Sequence, residues 1–68
     1  MTPIDRAILE FCANDFRRLK DLRANIPGGS LYRHAKRLIE IGWLERRGPL
    51  YRATSAGCRN LLETQEGR

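Results

Sequence analysis

Sixty-eight residues with thirteen Lys and Arg against eight Asp and Glu, a net charge of +5, make one small domain with no chain left for a second. The 41% hydrophobic share is too high for a disordered polybasic tail, and no run approaches the ~18 apolar residues of a membrane span. A catalytic pocket of ~300 Å³ or more is hard to wall off with so few elements, so the composition favours a binding module for a polyanion over an enzyme.

Met1 leads into Thr-Pro-Ile-Asp instead of a basic stretch and an apolar run, which predicts a cytosolic (cytoplasmic) product. Thr2 is placed to cap a helix with Pro3 at its first position and Asp5 three residues after the cap. Ile4, Ala7, Ile8, Phe11 and Cys12 recur at helical spacing and predict its core stripe, while Asp5, Arg6 and Glu10 face away. Leu9 lies outside that stripe, so it either touches another element or belongs to a partner surface. Asn14-Asp15 should end the helix. Phe16-Arg17-Arg18 is too short and too charged for a buried strand. Leu19, Leu22 and Ile26 share a face and predict a short second helix over 19–26, stopped by the turn Pro27-Gly28-Gly29.

The clearest helical pattern runs from Ser30 to Ile41. Leu31, Ala35 and Leu38 form its core stripe, with His34, Ile39 and Ile41 on the flanks. Gly29, Ser30, Arg33, Lys36, Arg37 and Glu40 cover the opposite face, and Gly42 supplies the stop. Trp43–Arg46 and Leu50–Ala53 are two short extended runs around Arg47-Gly48-Pro49, which predicts a hairpin. Thr54 caps a last short helix whose Cys58, Leu61 and Leu62 need a packing partner, expected to be the first helix. The domain should span 1–63, with 64–68 a frayed tail that has no apolar residue.

Two cysteines and one histidine match no metal-ligand spacing and no dense disulfide framework. Cys12 and Cys58 read as reduced core thiols, with a Cys12–Cys58 disulfide as the alternative. No cofactor and no metal are expected, and His34 reads as a packed imidazole with a single hydrogen bond. Phe11 and Trp43 read as core.

The cations are segregated. Residues 17–37 hold seven of them (Arg17, Arg18, Lys20, Arg23, Arg33, Lys36, Arg37) and one acid, Asp21, while residues 46–59 hold four (Arg46, Arg47, Arg52, Arg59) and no acid. A face charged only for solubility would mix signs.

The fold class expected from this order is mainly α (α+β): a helix-turn-helix of three helices, then a β-hairpin wing and a short C-terminal helix. Gly29-Ser30-Leu31-Tyr32-Arg33, running on through Lys36 to Leu44, and Tyr51-Arg52-Ala53-Thr54-Ser55-Ala56-Gly57 resemble the winged helix-turn-helix of the PadR and MarR families of bacterial and archaeal repressors. The likeness spans about residues 16 to 62 and departs from the families' pattern at Ala35 and Ala53, where Leu is usual and Trp43 is placed to fill the space. The resemblance implies transcription regulation through sequence-specific binding of double-stranded DNA.

Groove geometry then assigns roles, because the first turns of the reading helix are the ones that reach base edges. Ser30, Arg33 and Lys36 are the expected base readers. Arg17, Arg18, Lys20, Gly29, Tyr32 and Arg37 are expected on the DNA backbone, and Arg46, Arg47 and Arg52 of the wing on the backbone or in the minor groove. Gly28-Gly29 also reads as a plain turn, and Tyr32 also reads as half-buried packing. A winged-helix protein-interaction module and a small basic RNA-binding domain are the alternatives. A single module covers only ~600–1,000 Å² of DNA interface, which suggests a homodimer through Leu9 and the C-terminal helix.

Overall fold

The computed structural model describes residues 1–23 and 26–66, with residues 64–66 described by backbone alone. Helix α1 spans Pro3–Phe11, strand β1 Arg17–Arg18, a 3₁₀ turn Leu19–Leu22, helix α2 Gly28–Glu40, strand β2 Leu44–Arg47, strand β3 Leu50–Ala53 and helix α3 Ser55–Glu66. It is a small α+β domain of three α-helices and one antiparallel sheet in the order β1-β3-β2.

Helix α1 starts as its sequence dictates. The Asp5 amide donates to Thr2 Oγ1 at 3.1 Å and the Thr2 amide donates to Asp5 Oδ2 at 3.4 Å, a complete capping box. Ile8 and Cys12 of the expected stripe are buried, and Ile4 and Phe11 pack half-buried against them. Leu9 is also 0% exposed. Helix α1 packs against both α2 and α3, so it buries more than one stripe, and Leu9 lies beside Gly57 of α3. Its burial removes it from any self-association surface, which corrects the dimer expectation at that residue.

Contacts between segments add one element and correct two further expectations. First, Arg17 and Arg18 are not buried, as expected, but they form an exposed strand that pairs with Tyr51 and Leu50 along the open edge of β3. The pairing uses main-chain groups, so it needs no apolar side chains, and exposed charges suit an edge strand. Second, the short helix is a single 3₁₀ turn, Leu19–Leu22; Leu19 is buried, Leu22 and Ile26 pack half-buried on the core, and positions 24–25 lie outside the described residues. Third, α2 begins at Gly28, so Gly28-Gly29 form its first turn instead of a loop. Pro27 is the N-cap, with ψ 135, and its carbonyl accepts from the Leu31 amide at 2.9 Å.

Helix α2 ends in a Schellman motif: the Trp43 amide donates to the Leu38 carbonyl at 2.9 Å and the Gly42 amide to the Ile39 carbonyl at 3.1 Å. The motif requires a left-handed residue, and Gly42 takes φ +85. The chain then turns straight into β2, with Trp43 half-buried against the core. In the hairpin, Gly48 at φ +61 is the first of two turn residues between the paired Arg47 and Leu50. A positive φ there matches the strand twist of a two-residue loop.

Thr54 anchors the last helix to this corner. Its hydroxyl donates to the Gly42 carbonyl at 2.6 Å and accepts from the Gly57 amide at 3.1 Å, and its own amide donates to the Trp43 carbonyl at 3.0 Å. Leu61 is buried and Cys58 half-buried as expected, but Leu62 is 56% exposed. Helix α3 packs on α1 and β3 along a narrow face, and Leu62 points past it. The helix runs to Glu66, beyond the expected domain end at 63; residues 67–68 of the expected tail lie outside the described residues. The core gathers Ile8, Leu9, Cys12, Leu19, Leu31, Ala35, Leu38, Leu44, Ala53 and Leu61, with Ala35 and Ala53 both buried.

Both cysteines are free thiols. Burial pushes the Cys12 thiol up to about 11, opposed weakly by the Arg17 guanidinium. Because the folded value lies above the ordinary one, the neutral thiol is favoured in the folded state, and its contribution to stability is lost as pH rises from 9.0 towards 11. Iodoacetamide at mildly alkaline pH should therefore label the native protein at Cys58 and spare Cys12 until the chain unfolds. Equal labelling of both thiols in the native state, read by mass spectrometry, would contradict this burial.

Candidate nucleic-acid interface

The outer face of α2 is set by its inner face. Leu31, Ala35 and Leu38 are buried, which turns Gly29, Tyr32, Arg33, Lys36, Arg37 and Glu40 to the outside and leaves Ser30 half-exposed. The three expected base readers, Ser30, Arg33 and Lys36, follow one another over about 9 Å of helix. A second constraint fixes the helix's rotation: His34 Nδ1 lies 2.8 Å from Asp5 Oδ1, tying α2 to the start of α1. The single hydrogen bond expected for His34 is there. Its partner is the same carboxylate that caps α1, so one side chain fixes both the start of α1 and the setting of α2.

Among the described residues Arg6 pairs with Glu10 at 3.3 Å, and none of the Lys and Arg side chains from Arg17 to Arg52 joins an ion pair. The first turn of α2 contains no acidic residue, and Pro27 provides no side-chain cap. The positive end of the helix dipole therefore adds to the charge of Arg33. Glu40 is the one acid on the outer face, at its far end.

The hairpin divides its arginines. Leu44 pairs with Ala53 and Arg46 with Tyr51, and these four share one sheet face; Glu45 pairs with Arg52 and Arg47 with Leu50 on the other. Leu44 and Ala53 enter the core, so Arg46 and Tyr51 continue the α2 side of the sheet towards the turn. There they and Tyr32, Ala35, Lys36, Ile39 and Glu40 line an open groove of about 520 Å³. An adjoining cleft of about 220 Å³ is bounded by Arg18, Leu19, Lys20 and the turn residues Gly48 and Pro49, and it shares Tyr32, Arg46 and Tyr51 with the groove. Arg46 Nε donates to the Gly48 carbonyl at 2.9 Å, which steadies the turn beside it.

Of the expected contact residues, the structure thus brings together Tyr32, Lys36, Arg18, Lys20 and Arg46, with Ser30, Arg33 and Gly29 on the adjoining outer face of α2. Tyr32 is 41% exposed and lines both clefts beside Leu19, Ala35 and Ile39, a position compatible with packing as well as with contact to a ligand. Arg37 sits further round, beside Met1, Thr2 and Asp5. Arg17 stacks over Phe11 at 5.1 Å, and Arg47 and Arg52 stack over Phe16 at 5.2 and 5.3 Å. The three wing arginines do not form one surface.

Two residues of this region are not among the DNA contacts expected from the sequence. Tyr51 is on the groove, and its signal was the strand alternation that places it opposite Arg46. Phe16 gathers two guanidiniums, and no local pattern announces that. Compared with protein-family models, curated proteins and solved structures, the chain matches none of them.

Proposed function

We propose that this domain is a winged helix-turn-helix that binds double-stranded DNA as a small transcriptional regulator, with α2 in the major groove and the β2–β3 hairpin as the wing. The observation that carries the reading is the groove between α2 and the hairpin with its adjoining cleft, which share Tyr32, Arg46 and Tyr51 and are lined by Arg18 and Lys20 on one side and Lys36 on the other; none of these four cations joins an ion pair among the described residues. The element order and the sheet order β1-β3-β2 suit that architecture, as does the likeness of residues 16 to 62 to the PadR and MarR repressors. No described helix is long and apolar enough to cross a membrane, and of the exposed large hydrophobics only Tyr32 lines the groove or its cleft.

In this arrangement the phosphodiester backbone of one strand runs along the groove. Arg18, Lys20 and Arg46 neutralise its phosphates, and the hydroxyls of Tyr32 and Tyr51 donate to phosphate oxygens. These contacts set register and carry no sequence information. Arg33 meets the edges of bases in the major groove, where a guanidinium forks onto guanine O6 and N7 and discriminates by about 1–3 kcal/mol. Ser30 and Lys36 read on either side of it.

The two roles separate in mutants. Arg33→Ala should flatten the preference at one base-pair position by about 1–3 kcal/mol while leaving affinity for random duplex nearly unchanged. Arg46→Ala should weaken all duplexes alike and reduce the salt slope by about 1. Binding of both variants to a randomised duplex library checks this. Equal effects of the two on every sequence would mean that α2 does not read bases.

A further inference from the structure

The duplex contact just described leaves Arg47 and Arg52 without a task. They lie with Glu45 and Leu50 on the sheet face that points away from the groove, and both are exposed. Their guanidiniums stand 5.2 and 5.3 Å from the centroid of the Phe16 ring. Glu45, directly across the ladder from Arg52, joins no ion pair among the described residues. Two like charges are thus gathered around one aromatic ring without a carboxylate to account for them.

The ring explains how they are held. Its negative face attracts each guanidinium and limits the freedom of both side chains. A stacked guanidinium still has the N–H donors of its plane available, arranged as a fork that matches two oxygens of a phosphate. Besides the single acid Glu45, the face offers Leu50, which is half-buried, and Phe16, which is occupied by its arginines. A protein partner would need an apolar anchor at the centre of its contact, so the surface fits a phosphate backbone better than an acidic peptide.

We propose that this outer sheet face is a second contact for duplex DNA, so that one domain bridges two duplex segments, one along the α2 groove and one against Phe16, Arg47 and Arg52. The inference rests on the duplex-binding reading above and adds an architectural role to it. The hairpin then carries positive charge to both sides, Arg46 to the first segment and Arg47 with Arg52 to the second.

The test uses the full chain and two random-sequence duplexes, one biotinylated on beads and one fluorescent, at protein concentrations where sedimentation shows a monomer. The wild-type protein should capture the fluorescent duplex on the beads. The double variant Arg47→Ala with Arg52→Ala should lose that capture by at least about tenfold, while its binding to a single duplex, read by anisotropy, stays within about threefold of wild type. Single-duplex binding without capture by the wild type would overturn the bridge and leave the first interface standing. Undiminished capture by the double variant, or an equal loss of single-duplex binding and capture, would also overturn it. Absence of any duplex binding by the wild type would overturn both readings. Binding of a fluorescent oligo-glutamate peptide by the wild type, lost in the double variant, with no duplex capture, would assign the face to an acidic protein instead.

Discussion

Gly57→Ala is expected to lower the melting temperature by on the order of 10–20 °C, which corresponds to about 2–3 kcal/mol in a domain of this size. A β-carbon on Gly57 would overlap the Trp43 carbonyl oxygen, and it would stand 3.2 Å from Leu9 Cδ2. The obstacle is main chain, so no rotamer change relieves it. Separating α3 from Trp43 would also stretch the 3.0 Å bond from the Thr54 amide to the Trp43 carbonyl and the 2.6 Å bond from the Thr54 hydroxyl to the Gly42 carbonyl. A domain of this length has on the order of 3–10 kcal/mol of total stability, so the variant should be partly unfolded at physiological temperature. Gly29→Ala is the control: nothing lies within 4 Å of a β-carbon there, and an exposed first-turn alanine should stabilise by up to about 1 kcal/mol. Thermal melts of the two variants should move in opposite directions. A Gly57→Ala melt equal to wild type would mean that α3 does not pack as described.

The second large effect concerns binding alone. Arg33→Glu combined with Lys36→Glu should reduce affinity for the duplex that the wild type selects from a randomised library by about 10³-fold or more at low salt, since each position loses about 1–3 kcal/mol of base recognition and gains a repulsion. Both side chains are exposed and join no ion pair among the described residues, so the melting temperature should stay within a few degrees of wild type. Retained affinity in this folded variant would remove α2 from the interface. Loss of folding would instead show that its outer face has a structural role the contacts do not reveal.

The parts of the fold readable in the sequence are those fixed within a few residues. Thr2 and Asp5 announce the start of α1, Gly42 the end of α2 and Thr54 the cap of α3, because caps and stops are local hydrogen-bond chemistry. The inner stripe Leu31, Ala35 and Leu38 gave the outer face of α2 by exclusion. What escaped depends on segments distant in the chain. Strand β1 exists only because β3 offers an open edge, and Leu9 is buried only because α3 returns to cover it. Asp5 meets His34 across 29 positions. Gly28-Gly29 show the reverse case, where a strong local preference for a turn yields to the packing of Leu31 and the cap at Pro27. Of the site, the charges on α2 are legible in the sequence, and so is the division of the wing: Arg46 and Arg47 are neighbours in an extended strand, so they must face opposite sides.

Duplex binding by this domain requires that the groove between α2 and the hairpin hold a phosphate backbone. Anisotropy of a fluorescent random-sequence duplex, titrated with the wild-type chain at salt concentrations from about 50 to 200 mM, measures this directly. With Arg18, Lys20 and Arg46 each neutralising one phosphate, the plot of log affinity against log salt should fall with a slope of about −2.7. Undetectable duplex binding at the lowest salt, a slope near zero, or tighter binding to single strands or RNA than to the duplex would contradict it.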